Sequence, residues 1–325
     1  MTLPEQATGE PAAWPAPGTR PDHPRAGAAV WGCLIGFLGG LLGLGPWLVT
    51  GTRLPLQNLW GAEVMPEQMP VSLLPLSQYE LTTIVALLTV GGAAAGLTVR
   101  ILFPAQRRLA TWWAAAGLLA VQVAAAVQSF TVLDGGLTGG RMASLYFAGL
   151  LGGVTASLAA SLVALLLLAS KSRGLTALGA GLVAVPFASW AVEWVVGFVG
   201  HVNVPVAVPS IARWIPALLV GCALAWSGLR PARRAAVWLV NLALLWVVPA
   251  LFISVNYVLG SRVLAGDMQE TLLMGRQILA ATLGPKGGAL PTVVMALAVA
   301  LAGLGIRYFA ARRRPGQGPS TLSPP

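Results

Sequence analysis

The stretch GLTALGAGLVAVPFASWAVEWVVGFVG, residues 174–200, decides the class of the fold. It is apolar throughout except for one carboxylate, Glu193, set between Trp190 and Trp194, and Lys171 and Arg173 stand just before it. About 20 apolar residues cross a hydrocarbon core of ~30 Å as an α-helix, and a lipid-facing backbone must satisfy its own hydrogen bonds. The stretch therefore reads as a transmembrane helix with a charge inside it.

The same pattern recurs on either side. The chain of 325 residues is 56% hydrophobic and 9% charged, against roughly a quarter charged in a soluble domain. Further apolar runs cover about residues 26–50, 80–103, 110–131, 142–170, 209–229, 235–260 and 291–311. The expected fold class is all-α: a polytopic helical membrane bundle of about eight transmembrane helices. Residues 1–25 are polar and Pro-rich and read as a disordered tail. Residues 26–311 form a single membrane domain, and 312–325 a basic, then Pro-rich tail. The first span is too long for a signal-peptide core and lacks a small-residue cleavage site. The run before Cys33 in VWGC is too short for a lipoprotein signal.

Lys and Arg near the span ends set the orientation. Fourteen of the 20 lie on one side, in clusters such as Arg100/Arg107/Arg108, Lys171/Arg173, Arg230/Arg233/Arg234 and Arg307/Arg312. The other side has Arg53, Arg141, Arg213, Arg262, Arg276 and Lys286. Both termini are thus expected in the cytoplasm. The net charge of +10 reflects these clusters and not a nucleic-acid face, since no basic surface with interleaved aromatics occurs. Arg-, Ala-, Gly- and Pro-rich usage fits a GC-rich bacterial source. Three Arg-tipped endings, at 93–108, 222–234 and 301–314, echo one another, and the positive-inside bias alone accounts for them.

The turns on the Arg-rich side are short, and no G-x-x-x-x-G-K-[ST] loop is present. Two outward segments are long, at 51–79 and 261–290. In the first, Pro55, Pro66, Pro70 and Pro75 forbid a long helix, yet Leu54, Leu56, Leu59, Trp60, Val64, Met65 and Met69 make it apolar. It needs cover from the bundle mouth, lipid or a partner. The second carries Leu264, Met268, Leu272, Leu279 and Leu283 on one helical stripe, with Glu270 and Gln277 opposite. That predicts an amphipathic helix at the outer interface or over the bundle.

Lipid tails are as apolar as Leu, so spans associate through small residues. Gly32/Gly36/Gly40, Gly92/Gly96 and Gly149/Gly153/Ser157/Ser161 each recur at four-residue spacing, on one helix face. Pro186 and Pro249 predict kinks. Gln122, Asn241, Ser254 and Asn256 are candidate partners for the carbonyls these prolines free.

Glu193 lies seven residues before its span ends, a depth of roughly 10 Å. Ionised and unpaired there, it costs several kcal/mol. Arg213 enters the next span at a depth of roughly 6 Å, and His201 stands in the turn between. A Glu193–Arg213 ion pair or gate with His201 as a third member is the candidate site. No catalytic or metal signature is found: H-E-x-x-H and G-x-S-x-G are absent, and the two cysteines lie inside spans. Lipid-linked sugar transferases carry acidic residues in the first outer loop, but here Glu63 and Glu67 are not adjacent. No cofactor is implied. The favoured function is a non-enzymatic membrane subunit or scaffold, set in the lipid bilayer and binding an envelope protein through its outward loops. The alternative is a small secondary transporter using Glu193 and Arg213.

Cysteines introduced at Asn58 and Gln269 are expected to react with an impermeant thiol reagent on intact cells, and one at Gly316 is not. Labelling at Gly316 alone reverses the orientation.

Overall fold

A computed structural model describes residues 23–200, 203–229, 231–260, 268–284 and 287–312. The helices are α1 (His23–Val49), α2 (Leu81–Leu102), α3 (Arg107–Gly136), α4 (Arg141–Ala169), α5 (Arg173–Val199), α6 (Ala207–Ala212), α7 (Ile215–Ser227), α8 (Arg233–Gly260), α9 (Met268–Leu283) and α10 (Ala289–Arg312). Taking α6 and α7 together, eight stretches are long and apolar enough to cross a membrane. The fold is all-helical. Among the described residues the only β-type pairings are two isolated bridges, Arg53 with Val71 and Trp60 with Leu137.

Three boundaries differ from the sequence reading. α1 begins at His23, so residues 23–25 are helical and not tail; Pro24 suits a first turn, where its missing N–H is not needed. The remainder of both expected tails lies outside the described residues. α3 continues past 131 to Gly136, where the Leu137 N–H closes onto the Leu133 carbonyl at 3.1 Å. The sixth span is not one helix. Arg213 and Trp214 keep right-handed helical dihedrals, but Pro216 brings no N–H to the Ala212 carbonyl, and the ladder breaks there.

Close backbone approach holds the spans together. A Cβ on Gly36 would collide with the Ala114 backbone, and one on Gly117 with the Cys33 carbonyl. Gly92 meets the Ser161 backbone in the same way, and Gly96 that of Leu165. The order of contacts also gives directions. Gly32, Gly36 and Gly40 meet Ala110, Ala114 and Val121 in ascending order, so α1 and α3 are parallel. Gly92 and Gly96 on α2 ascend with Ser161 and Leu165 on α4, Gly174 and Gly181 on α5 with Val237 and Asn241 on α8, and Gly221 on α7 and Gly303 on α10 pair likewise with Ala296 and Ala225. Gly39 and Gly43 meet Ala95 and Leu87, descending, so α1 and α2 are antiparallel. The spans therefore alternate in direction. The starts of α1, α3, α5 and α8 gather at one end with the ends of α2, α4, α7 and α10.

The α4 stripe works only in part. Gly149 faces open space, whereas Gly153 meets the Leu81 side chain. Ser161 donates to the Leu88 carbonyl at 2.8 Å, and Gln122 donates to the same carbonyl at 2.9 Å and to Ser161 Oγ at 3.0 Å. Side chains of α3 and α4 thus meet on one carbonyl of α2, beside Gly91 and Gly92, where nothing shields it. Gln122 does not serve a proline-freed carbonyl. Neither does Asn241, which donates to Val237 in its own helix at 2.9 Å.

The segment 51–79 finds its cover in the bundle mouth. Leu54, Met69, Leu74 and Leu76 are fully buried against α1, α3 and α4. Its irregular backbone is satisfied by side chains: Trp47 donates to the Ser72 carbonyl at 2.8 Å, Gln128 accepts from the Leu73 N–H at 2.9 Å, and Ser129 accepts from the Leu74 N–H at 2.8 Å. Tyr146 donates to Gln57. The segment caps the α1–α4 half. Among the described residues the other half, α5 with α7, α8 and α10, has no such cap.

α9 is helical, but its packed face differs from the expected stripe. Met274, Gly275, Ile278, Leu279 and Leu283 are half-buried, while Leu272 is 66% exposed. Leu264 and Asp267 lie outside the described residues. Gly275 sits beside Val258, and the Trp246 indole donates to the Leu283 carbonyl at 3.0 Å. α9 therefore runs antiparallel to α8 and reaches the middle of that helix, a re-entrant course that the moment of α9 alone does not distinguish from lying flat.

Gly36→Ala and Gly92→Ala are expected to destabilise the protein by about 1–3 kcal/mol through overpacking. Gly149→Ala is expected to be neutral or to gain up to ~1 kcal/mol of helix propensity. Thermal unfolding in detergent checks all three.

Candidate functional site

The rotation of α5 positions the carboxylate in the quoted stretch. Phe187, Trp190, Trp194 and Phe198 form a ladder along one face of α5, with successive ring centroids 5.6, 5.9 and 5.7 Å apart. That face looks at α1: the Trp190 indole donates to the Gly43 carbonyl at 3.0 Å, and the Trp194 ring covers Gly45. Consecutive helix residues are about 100° apart. With both tryptophans turned to α1, Glu193 is directed between α5, α7 and α8.

There it lines a cavity of about 570 Å³. α5 contributes Ser189 and Glu193, the α6–α7 break Arg213 and Pro216, α8 Pro249 and Asn256, and the turn into α10 Gly287 and Gly288. The start of α2 closes one side with Thr82, whose hydroxyl bonds Asn256 Oδ1 at 3.2 Å. Glu80, at the N-cap of α2, is near enough for its charge to repel that of Glu193.

Glu193 and Arg213, paired by depth in the sequence, thus face one cavity, but their charged groups do not touch. Glu193 is half-buried, and its carboxylate has no hydrogen-bond or ion-pair partner among the described residues. Arg213 is exposed, and its guanidinium stacks 4.6 Å from the Trp214 ring centroid. His201 lies outside the described residues.

No family model matches the chain, no curated protein matches it, and no solved structure matches its fold. The site's reading rests on its own chemistry.

That chemistry combines one carboxylate and one guanidinium, set apart, with hydroxyl and amide groups on otherwise apolar walls. This is the composition of a small-molecule pocket, where a few polar groups fix orientation and apolar walls supply contact. Sequence reasoning missed five of the lining residues. Gly287 and Gly288 close the motif Gly284–Gly288, a turn signal read simply as part of an outer loop. Pro209 and Pro216 bracket Arg213 and mark the break, whereas the sequence reading assigns kinks to Pro186 and Pro249 alone. Thr82 stands in the first turn of α2, where nothing local distinguishes it.

Because Glu193 and Arg213 make no contact, Glu193→Gln and Arg213→Gln are expected to be additive in stability, with a coupling energy below ~0.5 kcal/mol. A direct ion pair would give strong coupling and recovery in the double variant. Thermal unfolding of all four proteins decides between them.

Proposed function

We propose that this chain is a multi-pass protein of a bacterial cytoplasmic membrane, with both termini in the cytoplasm, and that it binds a small polar solute from the outer face as a secondary transporter or permease. One observation carries this reading: Glu193 and Arg213 face a single cavity formed where a span is broken and a re-entrant helix turns. Irregular backbone at membrane depth is tolerated where it is buried in protein or lines a water-filled cavity. Broken helices at a central site recur in secondary transporters. The carboxylate offers charge to a cationic group, and Arg213 offers a planar donor fork to a carboxylate or phosphate. A zwitterion of amino-acid or betaine size satisfies both. Short turns on the Arg-rich side leave little surface for an external ATPase, which favours ion- or gradient-driven passage.

A second reading, a non-enzymatic subunit binding an envelope protein, keeps one observation in its favour. The outer surface of the 51–79 cap still exposes Leu56 at 51%, Met65 at 65% and Val71 at 51%. The buried part of that segment is satisfied by its own bundle, so the argument for a partner rests on these three side chains.

The purified protein, screened by thermal shift against amino acids, betaines and polyamines, is expected to be stabilised by a member of that panel. The shift should fall at least tenfold in apparent affinity in Glu193→Gln or Arg213→Gln and survive in Met65→Ser. No stabilisation by any member, together with a stoichiometric envelope protein retained in mild detergent and lost in Met65→Ser, would transfer the assignment to the subunit reading.

A further inference from the structure

Among the described residues the carboxylates all lie at one end of the molecule, together with Arg53, Arg141, Arg213 and Arg276, and the other end is purely basic. The end where α2, α4, α7 and α10 finish carries Arg100, Arg107, Arg108, Lys171, Arg173, Arg233, Arg234, Arg307 and Arg312, and no carboxylate among the described residues. Glu63, Glu67, Glu80, Asp134, Glu193 and Glu270 all belong to the opposite end. Among the described residues these guanidinium groups have no carboxylate partner, and Arg100, Arg234 and Arg307 turn to backbone carbonyls while Arg100, Arg173 and Arg312 stand over aromatic rings.

The end of α7 is the centre of this arrangement. Arg234 of α8 donates to the Ser227 carbonyl at 2.6 Å, and Arg307 of α10 donates to the carbonyls of Ala225 at 2.5 Å and Trp226 at 3.0 Å. Cations at a helix C-terminus satisfy its last carbonyls and complement its dipole. On the other side of α7, Arg100 and Arg173 stand 5.3 and 5.8 Å from the Trp226 ring centroid. A guanidinium has five N–H donors in a rigid fork. In Arg234 and Arg307 only Nη1 is engaged with these carbonyls.

Both side chains line one cavity of about 460 Å³, between the Gly228–Leu229 turn and α10, with Leu304 and Tyr308 as the remaining wall. Beside it Ile306 and Phe309 are exposed. Two guanidinium groups held by backbone carbonyls, without counter-charge among the described residues, next to an apolar outer surface match a phosphate ester that carries acyl chains. We propose that this cavity is a binding site for the headgroup of an anionic phospholipid, such as phosphatidylglycerol, gripped by Arg234 and Arg307 while its tails lie along α10. The site rests on the reading of this chain as a membrane protein, and is independent of the solute cavity at the opposite end. Basic pockets between transmembrane helices on the cytoplasmic side are suited to such headgroups.

The test uses the full-length protein in phosphatidylcholine nanodiscs with increasing mole fractions of phosphatidylglycerol, reading the thermal unfolding midpoint. Phosphatidylglycerol is expected to raise the midpoint saturably. The Arg234→Gln/Arg307→Gln protein should need about tenfold more lipid for half the effect. Arg108→Gln/Arg233→Gln, which removes the same charge from exposed positions at the same end, should match wild type. Arg234→Lys/Arg307→Lys keeps both charges and the fold but loses the planar fork, and should also bind more weakly. Equal weakening in the Arg108/Arg233 protein, or no weakening in the lysine protein, reduces the effect to diffuse surface charge and overturns the site. An equal midpoint rise from soluble glycerol phosphate in pure phosphatidylcholine discs makes the ligand a free phosphate ester and overturns the lipid assignment. Failure of the protein to enter phosphatidylcholine discs overturns the membrane reading and this proposal together, whereas entry without a phosphatidylglycerol effect overturns the proposal alone.

Discussion

The hydrogen bond from the Trp190 indole to the Gly43 carbonyl fixes how α5 is turned, and the cavity between α5, α7 and α8 depends on that rotation. α5 touches α1, α2 and α4 on one side and α7 and α8 on the other. It is the helix through which the two halves meet. An apolar helix in apolar surroundings can rotate at little cost, because lipid and Leu are nearly equivalent neighbours. An indole N–H is different: buried without an acceptor it costs about 1–3 kcal/mol. Gly45 leaves room for the Trp194 ring against α1, Trp190 bonds the Gly43 carbonyl, and the same turn of the helix presents Glu193 to the cavity. The charge sits between tryptophans because the tryptophans aim it.

The same economy governs the backbone. At several described places where the chain leaves regular helix, a side chain of another element supplies the missing partner. Gln128 and Ser129 hold the inner part of the 51–79 cap. Trp246 holds the end of α9. Arg234 and Arg307 hold the end of α7. Each of these side chains belongs to a different element from the carbonyl or N–H it satisfies, so the loops are tied to the bundle and not merely tethered by its ends. The apolar first loop, which on sequence grounds invites an outside partner, is largely occupied with its own bundle for this reason.

The two ends of the molecule consequently have different chemistry. The Arg-rich end is tight, with guanidinium groups turned onto carbonyls and onto Trp226. The opposite end holds every described carboxylate, and the α5–α10 half there is left open by a broken span and a half-length helix. A site of mixed charge stands at one end and a cationic cluster without carboxylates among the described residues at the other, and neither draws on the residues of the other.

The sequence by itself determined the class of fold, the number of apolar spans and which end of each is basic. These depend on composition summed over about 20 residues, which no packing detail changes. It also placed Glu193 and Arg213 at similar depth. Only the tertiary structure decided which way the spans face. In spans such as α4 the apolar residues run all round the helix, so periodicity carries no record of the face that packs; Gly153 and Gly149 look alike in sequence, and only the first meets a neighbour. The break at Arg213 and the inward course of α9 were equally hidden, because each depends on what stands beside the helix: a proline one turn away removes a hydrogen bond, and a tryptophan on α8 captures a carbonyl. Glu193 and Arg213 share a cavity without touching because rotation of α5 and the break before α7 together set their separation, and neither is a local property of the chain.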